Sequence, residues 1–315
     1  MSLSAHSVSQ PLGVHAEHIA FIWHAMLGAC GLMYALLLGF LVMTLLRQHR
    51  SAPAGVELEK RIERTLILWV GLIVVGLCGL TLASFLTDRA LVRAASEPQI
   101  ALRVIGHQWW WQVEYVDADN SQNVRTANEI HLPVGAQVHI ALSSDDVIHS
   151  FWVPNLNGKR DLIPGRSTEI RLQPLTTGRF RGFCAEFCGV QHAYMQFEVI
   201  VESAQEFAAW KARQLAGAVT PTDPLRQAGR DVFERAACPL CHAIAGTNAA
   251  ASTGPDLSHF ASRRLLAAGA LTNTRDHLRA WLQNPQRVKP GNHMPVVDLP
   301  GRDMTALVAY LGSLQ

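Results

Sequence analysis

Hydrophobic positions are spread unevenly along the chain, and their spacing changes character twice. About the first ninety residues hold two long apolar runs, Ile19–Leu46 and Leu66–Leu86, and neither contains Lys, Arg, Asp or Glu. At ~1.5 Å per helical residue each run can cross a hydrocarbon layer of ~30 Å. The pattern therefore predicts an N-terminal segment 1–94 with two transmembrane helices, about 19–46 and 66–86. From 95 to 202 short alternating or β-branched segments take over: Ile100–Ile105, Trp110–Val116, Glu129–Val134, Gln137–Leu142, Thr168–Leu172 and Met195–Val201. Turn-forming stretches such as Asp117–Asn123, Asn155–Gly158 and Pro164-Gly165 separate them, which predicts an all-β sandwich or barrel. A helix with Phe207, Trp210 and Leu215 on one face and a proline-bearing linker then fill 203–224. The remainder, 225–315, shows helical periods at Leu225–Ala236, Thr274–Leu282 and Arg302–Leu314 and predicts an all-α domain.

Composition adds little to this outline, whereas the position of the charges adds topology. A 315-residue chain with a formal net charge of +2 has room for two or three domains and carries no signature of a nucleic-acid partner. Between the apolar runs stand Arg47, Arg50, Lys60, Arg61 and Arg64, while no Lys or Arg precedes Phe21. The excess of positive charge places that connection in the cytoplasm. Both termini and everything after about Thr87 are then expected on the periplasmic or outer side of a bacterial inner membrane. A signal peptide would want a basic leading segment and a shorter apolar run. Leu27-Gly28-Ala29-Cys30 has a faint likeness to a lipoprotein processing site but lacks that basic segment, so Cys30 reads as a small apolar helix residue. Residues 97–202 carry twelve acidic and eight basic side chains, net −4, and residues 223–315 carry seven and ten, net +3. That asymmetry is either ordinary scatter between two solvated surfaces or a basis for docking one against the other.

The helical domain contains Cys238-Pro239-Leu240-Cys241-His242. Two thiols at this spacing can each add to a vinyl group of one haem, leaving the adjacent His as proximal ligand. A redox dithiol would want a thioredoxin-like βαβ setting, and zinc would want a second ligand pair; the domain offers neither. The run therefore predicts one covalent haem c on Cys238 and Cys241 with His242 on the iron. Met294, in Gly291-Asn292-His293-Met294-Pro295, is the candidate sixth ligand, ahead of its neighbour His293 and of Met304, which sits inside an amphipathic helix. The Met-Pro pair resembles the ligand loop of class I cytochromes c. Gly254-Pro255-Asp256-Leu257 resembles another loop of that family, which implies that the Pro255 carbonyl orients His242.

The β domain contains a second cluster. Cys184-Ala185-Glu186-Phe187-Cys188, followed by His192 and Met195, gathers two thiols, an imidazole and a thioether within twelve residues. Such soft donors favour copper over Mg²⁺, Ca²⁺ or Mn²⁺. A second imidazole is expected from His149, in Asp146-Val147-Ile148-His149-Ser150. A Cys184–Cys188 disulfide is the competing reading for an exported domain, and zinc is another, but His192, Met195 and His149 beside the thiols favour copper.

Together, Gly106-His107-Gln108-Trp109-Trp110-Trp111, Asp146 to His149, Ile163-Pro164-Gly165-Arg166 and Cys184 to Met195 resemble subunit II of haem–copper cytochrome c oxidases over residues 20–202. With the haem domain fused behind, the likeness is to the caa3-type subunit and covers nearly the whole chain. The resemblance implies a transmembrane α-hairpin, a cupredoxin-like Greek-key barrel and a class I cytochrome c in series. It further implies a dinuclear copper centre, CuA, with Cys184 and Cys188 bridging both metals, His149 and His192 binding one each, Met195 a weak ligand to one, and Glu186 binding the other through its backbone carbonyl. The family also uses that Glu186 carboxylate for a Mg²⁺ at the contact with subunit I, and Trp109 matches the aromatic where electrons enter. One stretch departs from the pattern. Many relatives begin the second transmembrane helix with Glu followed by Trp-Thr-x-x-Pro, whereas this chain has Ile62-Glu63-Arg64-Thr65-Leu66-Ile67-Leu68-Trp69. Glu63, like Glu59, is therefore read as an acid at the helix start.

The resemblance implies electron input from cytochrome c or another external donor, through haem c and CuA, to the haem of subunit I. That partner, alongside subunit III, would reduce O₂ and pump protons. A nitric-oxide or nitrous-oxide reductase input subunit and a free membrane-anchored carrier are the rival readings.

Overall fold

The computed structural model describes residues 7–47, 56–94 and 97–315. Helix α1 runs Val14–Arg47 and helix α2 runs Val56–Ala94; residues 17–96 form a compact unit of their own. Both helices extend past the apolar runs, because Glu, Lys and Arg at the start of α2 are good helix formers and need no apolar cover. Their side chains lie open on every side, with Phe21 70% and Leu46 78% exposed. A helix that is apolar all round requires lipid or protein around it, and both are long and apolar enough to cross a membrane. Arg47 closes α1, while Lys60, Arg61 and Arg64 lie in the first turns of α2 beside the exposed Glu59 and Glu63. Arg50 lies outside the described residues. Cys30 and Cys78 are exposed on the helices.

Residues 97–202 fold into two five-stranded sheets. The first has the order β3 (Val124–Ala127), β2 (Trp110–Val116), β1 (Ile100–His107), β5 (Val138–Ser144), β8 (Thr168–Leu172). The second has the order β4 (Glu129–Pro133), β10 (Gln196–Glu202), β9 (Gly178–Cys184), β6 (His149–Trp152), β7 (Arg160–Leu162). β1 with β5 and β4 with β10 pair in parallel, and the other neighbours are antiparallel. Burial alternates strictly along β5, so Val138, Ile140 and Leu142 enter the core while His139 and Ala141 face outward. Trp111 meets Phe151 and Phe197 edge to face at the centre, and the two phenyl rings stack on each other. Strands β3, β6, β7 and β9 have no counterpart in the hydrophobic pattern. Three of them are only three or four residues long, and β9 alternates arginines with small and aromatic residues.

Helix α3, Ala204–Leu215, belongs to the barrel rather than to a free linker. Ser203 and Glu206 close a capping box at its start. Trp210 is buried and stacks on His131 with ring centroids 4.2 Å apart, next to Tyr115.

The C-terminal domain packs α4 (Pro224–Arg235), α5 (Arg275–Gln283), α6 (Pro285–Val288) and α7 (Gly301–Leu311) around Val232, Phe233, Leu278, Leu307, Tyr310 and Leu311. Helices α4 and α7 cross at Gly229, where an added Cβ would collide with the Ala306 carbonyl oxygen and the Tyr310 Cβ. Backbone of a helix cannot step aside cheaply, so the crossing requires a residue without a side chain. Gly229→Ala is expected to destabilise this domain by about 1–3 kcal/mol. Calorimetry of the solubilised full chain should show that transition lowered while the barrel's transition stays in place.

Candidate copper and haem sites

Four short pieces of chain converge at one end of the barrel. His149 opens β6, Cys184 closes β9, Cys188 stands in the following loop, and a 3-10 turn His192–Tyr194 leads into Met195 and β10. The Cys184 and Cys188 Sγ atoms are 3.7 Å apart, well beyond the ~2.05 Å of a disulfide. His149 Nδ1 lies 3.8 Å from Cys184 Sγ, His192 Nδ1 lies 3.6 Å from Cys188 Sγ, and Met195 Sδ lies 3.8 Å from Cys188 Sγ. The Glu186 carbonyl oxygen is 3.2 Å from Cys184 Sγ, and its side chain is exposed. One ligand atom each from His149, Cys184 and Cys188 fall within 4.8 Å of one another, and all three residues are buried. Two sulfurs side by side with an imidazole on each flank are a donor set suited to copper, and Met195 and the Glu186 carbonyl stand beside it.

The electrostatics of the pair point the same way. Cys188 donates its S–H toward Cys184, and with hydrogen bonds to His149 and to the Glu186 and Ser150 backbone this holds Cys184 down at about 4. Cys188, which keeps the proton, is pushed up by the same partnership and by burial. Two adjacent thiolates cannot both ionise without a cation between them, so metal binding must displace the Cys188 proton.

Sequence reasoning did not single out Asp146 as a supporting residue. Its carboxylate accepts from the Gln108 N–H at 2.6 Å, the Val147 N–H at 2.6 Å and His149 Nε2 at 2.8 Å. Burial works against the Asp146 charge, but those hydrogen bonds outweigh it and its carboxyl lies below the ordinary range. An Nε2–H bonded to a carboxylate turns Nδ1 toward the sulfurs, where it hydrogen-bonds Cys184 and, on losing its proton, would be the atom that ligates a metal. The available signal was an acid three residues before His149.

In the helical domain Cys238 and Cys241 are unpaired and partly buried around a 3-10 turn, Cys238–Leu240. His242 Nδ1 donates to the Pro255 carbonyl at 2.7 Å. Burial holds the imidazole below its usual range, so it is neutral with Nε2 free to ligate. Gly254 is needed here, since a Cβ would come within 2.8 Å of the His242 ring. Met294 is partly buried against the domain core, its N–H bonded to Asn292 Oδ1 at 2.8 Å and its carbonyl accepting from Gln286. His293 is exposed and Met304 is buried within α7. Two free thiols, an oriented neutral imidazole and a thioether on an anchored loop fit a covalently held haem.

Trp109 is buried rather than on an open surface, and what covers it is the C-terminal domain. Its indole N–H donates to the Cys188 carbonyl at 2.9 Å, and the Gln108 side chain donates to the same oxygen at 2.7 Å. On the other side a Cβ at Gly291 would lie 3.6 Å from the Trp109 ring, and the Gln191 amide donates to the Pro290 carbonyl at 2.7 Å. Around this contact Arg264 forms a two-pronged ion pair with Glu198, Arg263 lies 3.8 Å from Glu129, and Arg125 lies 3.7 Å from Asp256. The two domains therefore dock, with acids of the barrel facing arginines of the helical domain at two of these three pairs. Trp110 stacks on His107, and Trp111 is core.

A thiolate–imidazole cluster in a two-sheet barrel, docked to a Cys-x-x-Cys-His helical domain behind an apolar hairpin, defines a membrane-anchored electron-transfer protein with two redox sites. Residues 118–204 match the family model for cytochrome C oxidase subunit II, periplasmic domain, and residues 227–315 match that for cytochrome c. Cytochrome c oxidase subunit 2 of Alkalihalophilus pseudofirmus is 35% identical over 280 residues, covering 86% of this chain and 80% of the relative. The subunit 2 of Bacillus subtilis is 31% identical over 297 residues, covering 88% and 82%. That of Bacillus sp. strain PS3 is 32% identical over 287 residues, covering 85% and 78%. The chain belongs to the cytochrome c oxidase subunit II family. It is thus a membrane-bound oxidoreductase subunit with a copper-binding domain and a haem-binding cytochrome c domain.

Loss of the His149 orientation should weaken metal binding without disturbing the thiols. Asp146→Asn is expected to lower copper affinity about 10–100-fold, measured by competitive titration of the reduced chain with a chelator. Cys184 and Cys188 should stay equally reactive toward a thiol reagent before metal is added.

Proposed function

We propose that this chain is the electron-input subunit of a caa3-type haem–copper oxidase. It would take electrons from cytochrome c or another external donor and deliver them to the haem of subunit I, where O₂ is reduced and protons are pumped. The observation that carries this reading is the juxtaposition, in one docked unit, of the His149–Cys184–Cys188 cluster and the Cys238–His242 run, with Trp109 between the Cys188 carbonyl and the loop that bears Met294.

In this reading Cys184, Cys188, His149 and His192 would hold two copper ions, with Met195 and the Glu186 carbonyl as weaker ligands, and the pair would supply one-electron transfer. Cys238 and Cys241 attach one haem c covalently, with His242 and Met294 on its iron. A dinuclear centre shares one electron over two metals, and a His/Met haem has a high potential, so both supply transfer with little change in structure. What the chain itself contributes is orientation and exclusion of water. Asp146 fixes the His149 ring, Pro255 fixes the His242 ring, and burial of both thiols keeps the copper site dry. Trp109 links the receiving side of the copper site to the docked domain. The exposed Glu186 carboxylate is available for a Mg²⁺ shared with subunit I, and subunit III completes the complex. The Arg and Lys side chains at the helix connection support a topology with that connection in the cytoplasm and with both redox domains and both termini on the periplasmic side.

Purification of the native complex should yield this chain with a haem-bearing catalytic subunit and with oxygen uptake driven by reduced cytochrome c. Isolation of the chain without that subunit, or turnover of a nitrogen oxide in place of O₂, would contradict the assignment. Met294→Ala should leave haem attached through Cys238 and Cys241 but lower its midpoint potential, because a thioether stabilises the reduced iron. An unchanged potential in a spectroelectrochemical titration would show that another residue is the sixth ligand.

A further inference from the structure

Lys289 is 2% exposed and stands at the end of α6, where the loop to Met294 begins. Its Nζ donates to the Trp109 carbonyl at 2.7 Å, the Tyr194 carbonyl at 2.8 Å and the Ala267 carbonyl at 3.0 Å. An ammonium group has three N–H donors and no acceptor, so these three carbonyls use its whole capacity. They come from three separate segments. Trp109 and Tyr194 belong to the barrel, the first bonded to the Cys188 carbonyl through its ring and the second preceding Met195. Ala267 belongs to the helical domain, beside Ala268, whose carbonyl accepts from the Gln196 N–H of β10 at 3.0 Å.

A lysine buried at an interface is costly unless it is fully hydrogen-bonded, and an apolar side chain would seal a mere packing contact at lower cost. Among the described residues no carboxylate pairs with Lys289. What an amine adds over an apolar residue is direction: it can be satisfied only when all three carbonyls occupy their places. Lys289 thereby ties the start of the Met294 loop to the Trp109 backbone, while Pro290 and Gly291 lie against Gln191 and the Trp109 ring.

We infer that Lys289 is the positioning residue for internal electron transfer, locking the helical domain onto the barrel in the one arrangement that aligns the haem site with Trp109 and the copper site. The inference rests on the functional reading above. In the step concerned one electron lost by the haem site is gained by the copper site, and no bond is made or broken. A displaced donor and acceptor lose rate steeply even when neither is altered, as for any reaction that depends on orientation.

The test uses the purified complex. Lys289→Met keeps the length of the side chain and removes its donors. Photoreduction of the haem followed by optical detection of copper reduction should show transfer slowed about tenfold, equivalent to about 1.4 kcal/mol. The midpoint potential of the haem site and the KM for external donor should be unchanged, and the Gln196 backbone amide should exchange with solvent faster. An unchanged transfer rate overturns the proposal, and so does slowing accompanied by a shifted haem potential, which would make Lys289 a support of the haem loop alone. If Lys289→Met does not assemble, Lys289→Gln, which retains two N–H donors, is expected to give a smaller slowing. In the unsubstituted protein, rapid exchange of the Gln196 amide would contradict a locked interface directly. Absence of a mixed-valence copper signal or of covalent haem in the unsubstituted complex would instead overturn the functional reading beneath it.

Discussion

Two cysteine sulfurs held 3.7 Å apart in a buried pocket create a charge problem, and much of the surrounding fold can be understood as its solution. One thiolate is stabilised there, because its neighbour's S–H donates a hydrogen bond to it; a second is not, unless a cation replaces that proton. The barrel brings Cys184 in on the end of β9, Cys188 on the loop beyond and His149 on the start of β6, so three rigid elements set the distances before metal arrives. Asp146 then fixes His149 through a carboxylate that is itself held by two backbone N–H groups. A site organised this way needs little rearrangement when it gains or loses an electron, and little rearrangement is what electron transfer requires of a protein.

The same loop that carries Cys188 also forms the wall toward the cytochrome domain. The Cys188 carbonyl takes hydrogen bonds from both Gln108 and Trp109, and Trp109 in turn lies under Gly291. The interface carries ion pairs, Arg264 on Glu198 and the buried Arg263 near the buried Glu129, alongside the close packing of Gly291 on Trp109. A domain joined only by the stretch from Ala218 to Pro224 would otherwise be free to sample many positions. Directional bonds to Pro290, Ala267 and Ala268 select one of them, and covering Trp109 leaves the tethered cytochrome domain as its immediate neighbour.

How much of this was legible depended on whether the signal was local in sequence. The apolar runs announced two helices because lipid demands continuous apolar surface, and the Cys-x-x-Cys-His run announced a haem because its chemistry needs a fixed local spacing. The all-β domain was legible from its short alternating segments, and the oxidase family with its cupredoxin-like barrel from the resemblance carried by Gly106–Trp111, Asp146–His149, Ile163–Arg166 and Cys184–Met195; the family comparison agrees. Strand β9 was hidden because Arg179, Arg181 and Gly182 break the hydrophobic alternation while still serving an outward face and a close contact with Phe197. Trp210 read as part of a linker helix, although it is core to the barrel, because nothing local shows that His131 and Tyr115 lie beneath it. The residues that make the docking were hidden for the same reason: the net charge difference offered docking as one reading, but Lys289 in isolation looks like any surface lysine.

The proposed electron-input role depends most on two coppers that share one electron in the Cys184–Cys188 pocket. Low-temperature electron paramagnetic resonance of the copper-loaded chain, with metal content determined on the same sample, tests this most directly. Two coppers per chain and a hyperfine pattern from an electron spread equally over two copper nuclei are expected. One copper per chain with the pattern of a single nucleus, or a Cys184–Cys188 disulfide that binds no copper after reduction, would contradict it.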